Sequence, residues 1–393
     1  MNYWISENDC TGCGACANKC PANAISMRAN SVSGFLYPHI HDSKCIDCYL
    51  CQESCPVLRR ITANYTYEKK TIQHAYAAWS TDDQLRFDST SGGLFTELAI
   101  PILSNGGLVY GAGFNRQMDV VHYGIERKED IGKLRKSKYV QSSIGYTYRE
   151  IQEQLKEGRP TLFVGSPCQV AGLYDYLDKD PDQLYTIEFV CLGVNSPLAY
   201  RKWLEELEKA HKSKVSYVWF KHKIDGWRHS PFCTRIEFED GTIEVLDHAN
   251  NYYMQGFLQG NYYLRSSCSS CKFMGNRRVA DIILGDYWSV DVQTDDDKGT
   301  SVIITNSNKG ESLLSQIKER IHCQKIPMES IYETNPRFNT PIERNPMSES
   351  FFADLQKDEF SMVVKKYINS DDPLSDILKK IVSPTNELTC AFR

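Results

Sequence analysis

The sequence predicts a multidomain chain of α+β and α/β parts: a small cysteine-ligated N-terminal module, a mixed α/β domain and a mainly helical C-terminal region. Three observations carry this. Residues 10–55 contain the same four-cysteine phrase twice. From about residue 74, short apolar strands alternate with helical stretches, the pattern of an α/β sheet with parallel pairs. The 393 residues are too many for one compact core, so two or three domains are expected.

The N-terminal module spans residues 1–62. Cys10, Cys13, Cys16 and Cys20 precede Pro21, and Cys45, Cys48, Cys51 and Cys55 precede Pro56, so C-x2-C-x2-C-x3-C-P occurs twice. This is the ligand run of a bacterial two-cluster 4Fe–4S ferredoxin. Two-residue gaps let three sulfurs reach one cube, and Gly12 and Gly14 relieve crowding around it. The fourth cysteine of each run ligates the other cluster. One cluster is therefore expected on Cys10, Cys13, Cys16 and Cys55, the other on Cys45, Cys48, Cys51 and Cys20. Zinc sites more often present two pairs, frequently with His, and a disulfide framework is the other alternative. Leu58 to about Gln73 is polar, with Arg59, Arg60, Lys69 and Lys70, and reads as a linker.

Composition excludes several classes. The net charge of −5 gives a nucleic-acid role no electrostatic support. No apolar run reaches the length of a membrane span, and MNYWISENDC lacks the basic start and apolar core of a signal peptide. An odd count of 15 cysteines, eight of them in the two runs, points to a reducing cytoplasm.

The α/β domain is expected over 74–308. Leu94, Leu98, Ile102 and Leu103 lie at helical spacing after Gly-Gly, and Asn105-Gly106-Gly107 ends that helix. Leu108–Tyr110 and Val120–Tyr123 read as strands, and Ile144 to Gly158 as a helix. Thr161–Val164 is a strand running into Gly165-Ser166-Pro167-Cys168, with a helix to Leu177. Leu184–Val190 is a strand ending in Cys191-Leu192-Gly193, and a helix from Pro197 to about His211 follows. Phe238–Ile243 reads as a hairpin with an Asp-Gly turn, and Ala280–Leu284 as another strand. Residues 309–393 read as mainly helical.

Cys168, Cys191, Cys268 and Cys271 form a scattered second set. Ser166 can cap and Pro167 suits the first helical position, which puts Cys168 in a first turn. Cys191 follows a strand of the same sheet, and ligand sites in open α/β sheets gather at the carboxyl ends of strands. The spacing alone leaves two readings, a third metal centre or two inert buried cysteines beside a zinc-type C-x2-C pair. Cys233, Cys323 and Cys390 have no partners by pattern. No G-x-G-x-x-G follows a strand, and G-x-x-x-x-G-K-[ST], H-E-x-x-H and G-x-S-x-G are absent. One-electron carriers usually meet a two-electron acceptor, and a flavin is the common converter.

Five segments then line up with a known family: Ser89-Thr90-Ser91-Gly92-Gly93, Lys136-Ser137-Lys138-Tyr139-Val140-Gln141-Ser142, Gly165-Ser166-Pro167-Cys168-Gln169-Val170-Ala171-Gly172-Leu173, Cys191-Leu192-Gly193, and Ala280 to Trp288. Over roughly residues 1–310 the chain resembles the coenzyme F-420 hydrogenase/dehydrogenase beta-subunit family, in a version fused to a two-cluster ferredoxin. The resemblance implies an FAD-binding α/β domain and an iron–sulfur centre beside it. It makes Cys168, Cys191, Cys268 and Cys271 ligands of a third 4Fe–4S cluster. The flavin contacts it suggests are Ser89, Thr90, Ser91, Gly92 and Gly93, then Ser137, Lys138, Tyr139, Val140 and Gln141, then Gly165, Ser166, Pro167 and Gln169. Lys138 and Asp286 become the polar residues assigned to catalysis. Three positions depart from the family pattern. Leu192 stands where His is common, which weakens any acid–base role there. Ser166 replaces Thr, and Ser289 replaces Gly.

The sequence thus reads as a cytoplasmic iron–sulfur flavoprotein oxidoreductase. Electrons are expected from reduced ferredoxin or a similar carrier, and the acceptor is an organic molecule or a deazaflavin. A sugar-related substrate would be recognised by Lys221, Lys223, Trp227, Arg228 and His229, a stretch that otherwise reads as a solvated loop. The alternatives are a non-catalytic electron-transfer subunit and a cluster-based sensor. Association into oligomers stays open.

Overall fold

The computed structural model describes residues 5–62, 73–228, 232–291, 293 and 295–368. The cysteine-rich module is built on a hairpin of β1 (Ile25–Ala29) and β2 (Leu36–Ile40), paired Ile25 to Ile40. Short helices Ala15–Lys19, Leu50–Glu53 and Pro56–Ile61 carry the cysteine loops. The last of these corrects the expected linker. Leu58 to Ile61 are helical, started by Pro56 at its first turn. Lys69 and Lys70 lie outside the described residues.

The rest of the chain supplies two sheets. The strands are β3 (His74–Ser80), β4 (Leu108–Phe114), β5 (Val120–Ile125), β6 (Thr161–Gly165), β7 (Leu184–Phe189), β8 (Val215–His222), β9 (Cys233–Phe238), β10 (Ile243–Leu246), β11 (Ile282–Asp286), β12 (Ser301–Thr305) and β13 (Ile321–Ile326). The large sheet has the order β13-β3-β12-β11-β7-β6-β4-β5, and the small one β10-β9-β8. The four central strands β4, β6, β7 and β11 are mutually parallel, and antiparallel pairs rim them on both sides. β13 falls in the region expected to be mainly helical. Its I-H-C-Q-K-I sequence is exposed at all its middle positions, as an edge strand allows.

Side chains alternate as strand geometry demands. Leu162 and Ile303 face a core with the helix Leu94–Ser104, while Phe163 faces the helices Thr147–Lys156 and Pro167–Leu177. That second core also contains Cys10, Cys13, Cys55 and Val57, so the cysteine module is packed into the domain. The small sheet shares a third, aromatic-rich core with the helices Pro197–His211, Tyr252–Leu258, Ser348–Leu355 and Phe360–Ile368. Residues 309–368 are therefore part of the domain's packing. Among the described residues, no helix is long and apolar enough to cross a membrane.

Parallel strands put their carboxyl ends on one edge. β6 ends at Gly165 before Cys168, β7 at Phe189 before Cys191, and β11 at Asp286. β3 runs in the same sense, through β12, and brings the Ser89–Gly93 turn to that edge. The candidate chemistry lies there, as expected for an open α/β sheet.

Candidate functional site

Gly12 and Gly14 adopt φ of +67° and +74°, which L side chains rarely adopt, so the first cysteine loop needs glycine at both places. The loop closes an apolar cavity lined by Cys10, Cys13, Cys16 and Cys55 with Met27 and Pro56. Cys55 has thus crossed from the second run to the first set. Burial pushes the Cys13 and Cys16 thiols well up, and in both Cys55 and Cys10 add to the effect. Cys20 sits with Cys45 and Cys51 in a separate apolar cluster, and Cys20 and Cys48 raise Cys51 further after burial. Backbone N–H groups of Gly12 and Ala24 point at Cys10 Sγ (3.4 Å) and Cys20 Sγ (3.2 Å), contacts that favour thiolate ligands.

Three arginines fasten this module to the domain. Arg59 donates to Asp175 (2.9 Å) and Asp178 (2.8 Å) on the helix Pro167–Leu177 and its cap. Arg59, read as part of a linker, is thus a docking contact. Arg149 donates to the carbonyls of Asn18 (2.7 Å), Ala17 (3.1 Å) and Cys20 (2.9 Å). Arg265 donates to the Cys10 and Leu36 carbonyls.

The scattered quartet is brought together. Cys168 lies in the first turn of Pro167–Leu177, where Ser166 Oγ is 3.2 Å from its sulfur and Gln169 accepts the Ser166 N–H at 3.0 Å. Cys191 follows β7. Cys268 lies in the 3-10 turn Ser266–Ser270 with its N–H on the Arg265 carbonyl, and Cys271 caps that turn. Burial pushes the Cys191 thiol well up, and Cys268, Cys168 and Cys271 all add to it. Burial likewise takes Cys168 to about 11 and Cys268 to about 12. These half-buried thiols oppose each other's ionisation, which suits a positively charged inorganic guest. Among the described residues no three His, Cys, Asp or Glu groups converge on a point that could hold one metal ion. A buried ion pair of Arg278 and Glu188 (2.8 Å) flanks Cys271.

The segments suggested as flavin contacts also meet. Thr90 Oγ1 accepts the Ser137 N–H at 2.9 Å, Ser91 Oγ donates to the Thr300 carbonyl, and Ser301 Oγ accepts the Gly92 N–H. Gln169 reaches Ser142 Oγ at 3.0 Å, and Gln141 donates to the Thr11 carbonyl at 2.9 Å. Several of these groups are engaged by the protein itself. Ser89 Oγ donates to the Leu85 carbonyl. A Cβ on Gly92 would stand 2.6 Å from the Ala78 carbonyl, so that glycine clears its own sheet. Tyr139 and Val140 are packed in and against the aromatic core, Pro167 opens its helix, and a Cβ on Gly165 would press on Phe163.

Lys138 and Asp286 do not pair. Lys138 Nζ donates to the Arg135 carbonyl at 2.7 Å, and burial, with Lys136 adding, lowers it to about 7. Asp286 pairs with Lys221 at 3.1 Å. Lys221 is 2% exposed and lies over the rings of Phe232 (4.2 Å), Trp288 (4.7 Å) and Trp227 (5.1 Å). The stretch expected as a solvated loop is therefore largely buried. Lys223 donates to the carbonyls of Arg86, Ser91 and Lys298, and Trp227 stacks on Trp288 at 4.5 Å. Arg228 pairs with Asp295, and His229 lies outside the described residues. Beside these segments the buried ring nitrogens Trp219 Nε1, His222 Nδ1 and Trp227 Nε1 lack a hydrogen-bond partner among the described residues. Flat rings, buried cations and orphaned ring nitrogens suit a planar polar guest such as a flavin.

Of the unpatterned cysteines, Cys233 donates to Asp225 at 3.1 Å and Cys323 is exposed on β13. Cys390 lies outside the described residues.

Comparison with known proteins gives matches over most of the chain. Residues 9–58 match the 4Fe-4S dicluster domain. Residues 75–146 match the coenzyme F420 hydrogenase/dehydrogenase beta subunit N-terminal model, and residues 158–330 its C-terminal model. A coenzyme F420-dependent sulfite reductase of Methanocaldococcus jannaschii is 23% identical over 360 residues, covering 88% of this chain and 52% of that protein. The chain thus spans about half the length of this curated relative. A chain of the F420-reducing NiFe hydrogenase complex from Methanosarcina barkeri aligns with a TM-score of 0.44 at 18% identity, over 75% of this chain and 90% of that one. With both family models matched in order behind the dicluster domain, the chain belongs to the coenzyme F420 hydrogenase/dehydrogenase beta-subunit family and is an iron–sulfur redox protein.

Proposed function

We propose that the protein is an oxidoreductase that takes electrons singly at its cysteine module from a ferredoxin-like carrier. It delivers them in pairs to an organic acceptor at the carboxyl edge of the large sheet, with the deazaflavin coenzyme F420 as the acceptor class its family favours. Bound 4Fe–4S clusters supply one-electron steps and a bound FAD the exchange between one- and two-electron chemistry. Cys10, Cys13, Cys16 and Cys55 would hold one cluster, Cys20, Cys45, Cys48 and Cys51 a second, and Cys168, Cys191, Cys268 and Cys271 a third. The FAD would lie against the 89–93, 137–141 and 286–288 segments.

One observation carries the reading: the first cysteine set touches the helix that carries Cys168 of the quartet. Cys13 Sγ lies 3.1 Å from where a Cβ on Gly172 would stand, and Cys168 is one of the groups acting on Cys13. At the sheet edge the chain's own residues exclude water and fix charge. Trp227, Trp288 and Phe232 wall off Lys221, and Asp286 holds its ammonium in place. Lys138 is held neutral more readily than an exposed lysine, which suits it to hold or release a proton near pH 7. The sugar-related reading loses its footing, since Lys223 is saturated by carbonyls and Trp227 is buried.

A second reading is an electron-transfer subunit of a larger complex. Phe189 and Leu192, exposed by 41% and 37% on either side of Cys191, favour it by offering an apolar rim to a partner.

Anaerobic purification tests the cofactor set. About twelve irons, from three cubes of four, and one FAD are expected. Eight irons with full flavin would remove the third cluster, and a chain without flavin after gentle handling would remove the FAD. Oxidation of reduced ferredoxin on adding F420 supports the enzyme. Cluster reduction without F420 turnover supports the subunit.

A further inference from the structure

Arg265 is buried, 1% exposed, and its polar contacts are unusual for a buried cation. Its Nε donates to the Cys10 carbonyl at 2.7 Å, one terminal nitrogen to Gln141 Oε1 at 2.7 Å, and the other to the Leu36 carbonyl at 3.0 Å. Its plane lies over Tyr37 (4.4 Å) and Phe35 (5.1 Å). None of these groups carries a negative charge, and among the described residues Arg265 has no carboxylate partner. A guanidinium stays protonated under all ordinary conditions. A charge taken out of water without a counter-charge is strongly unfavourable, which is why buried charges are normally paired. The fold nonetheless protects this arrangement. Gly12 leaves room for it, since a Cβ there would stand 2.9 Å from the guanidinium and 2.7 Å from Gln141 Nε2.

The position supplies the missing anion. The guanidinium bonds to the carbonyl of Cys10, in the first cysteine set. The Arg265 carbonyl accepts the Cys268 N–H, in the quartet. The Cys168 and Cys268 thiols both feel its charge. Cys10 and Leu36 belong to the module, and Gln141 and Arg265 to the domain. The cation thus sits at the seam between two sets of four thiolates.

We infer that Arg265 is the resident counter-cation of the first cluster and the quartet's cluster, a positioning residue that makes both easier to reduce. Each cluster gains one electron on reduction and becomes more negative by one charge. The fixed guanidinium offsets that charge and no proton moves. Removing it leaves the oxidised form less affected than the reduced one, so the midpoint potential falls. This inference rests on the cluster assignment under Proposed function. Iron counts on wild-type protein test that assignment separately from the role of Arg265.

The test is a redox titration of the anaerobically prepared full chain, followed by electron paramagnetic resonance, for Arg265→Gln and Arg265→Lys. Both variants lose the forked hydrogen bonds, and only glutamine loses the charge. Arg265→Gln is expected to lower the reduction equilibrium constant of each of the two clusters tenfold or more, about 59 mV for a one-electron couple, and a shift in one alone overturns the shared role. Arg265→Lys should stay within about threefold of wild type, a fraction of that step. A third variant, Gln141→Glu, keeps Arg265 and places a carboxylate on it, and should shift the potential down as Arg265→Gln does. This variant decides the matter if Arg265→Gln fails to hold iron. Unshifted potentials in an iron-replete Arg265→Gln or Gln141→Glu protein overturn the inference. Equal shifts in the lysine and glutamine variants also overturn it, because the effect would then belong to hydrogen-bond geometry.

Discussion

Cys268→Ser is expected to leave about eight of about twelve irons in place and to abolish electron delivery from reduced ferredoxin to the acceptor. Cys268, Cys168 and Cys191 sit together with thiols that burial keeps neutral, at about 12 for Cys268 and about 11 for Cys168. Metal binding must draw off those protons, so the quartet holds its guest only as a set. A serine hydroxyl gives up its proton far less readily than a thiol and is a harder ligand, poorly matched to iron–sulfur chemistry. The N-terminal sets share no cysteine with the quartet, and their cysteines lie in or beside three short helices of the module, Cys16 and Cys51 within them and Cys20 and Cys55 flanking them. Iron and acid-labile sulfide counts, with spectra of the two remaining clusters, check this. Twelve irons retained in Cys268→Ser would remove Cys268 from the ligand set. Uniform loss of all iron would mean that it supports the fold of the module instead.

The parts of this site that were legible in the sequence share one property, locality. The two cysteine runs, the glycines between them, and the strand-to-helix turn at Gly165–Cys168 are all set by residues within a few positions of each other. The quartet was legible as residue types, but its convergence depends on the parallel order β6-β7-β11, which spacing does not encode. Arg265 and its acceptor Cys10 are 255 residues apart, and Lys221 and Asp286 are 65 apart. Neither pairing has a local signal. Charge misled twice for the same physical reason. Arg59 and Lys221 look like solvated residues in their own segments, yet Arg59 meets an Asp175 side chain with no exposure, and Lys221 is boxed by aromatic rings. β13 escaped because an edge strand with an exposed middle lacks a regular alternation of buried and exposed positions.

Gly172→Val should break the contact between the cysteine module and the quartet's helix while leaving all twelve proposed ligands unchanged. Gly172 lies inside Pro167–Leu177, a helix whose residues from Gln169 to Leu177 are all buried. Even one Cβ there would stand 3.1 Å from Cys13 Sγ, 3.2 Å from Cys13 Cβ and 3.1 Å from the Tyr148 hydroxyl. The hydroxyl cannot easily give way, because Tyr148 is fully buried and donates to the Gln169 carbonyl at 2.7 Å. Cys13 cannot move without disturbing its set, which Gly14, at φ +74°, and the Cys55 crossing hold in place. Valine adds two further methyls, and overpacking of this kind costs about 1–3 kcal/mol. In isolation a helix gains from losing a glycine, by about 1 kcal/mol relative to alanine, so propensity alone predicts the opposite sign. The denaturation midpoint of the variant should therefore fall, with iron lost first from the set containing Cys13. Gly172→Ala, with only the Cβ added, should lie between the two. If both variants match wild type in midpoint, iron content and electron transfer, the module does not approach this helix closely enough for Gly172 to matter, and the contact between the first cysteine set and the helix of Cys168 fails with it.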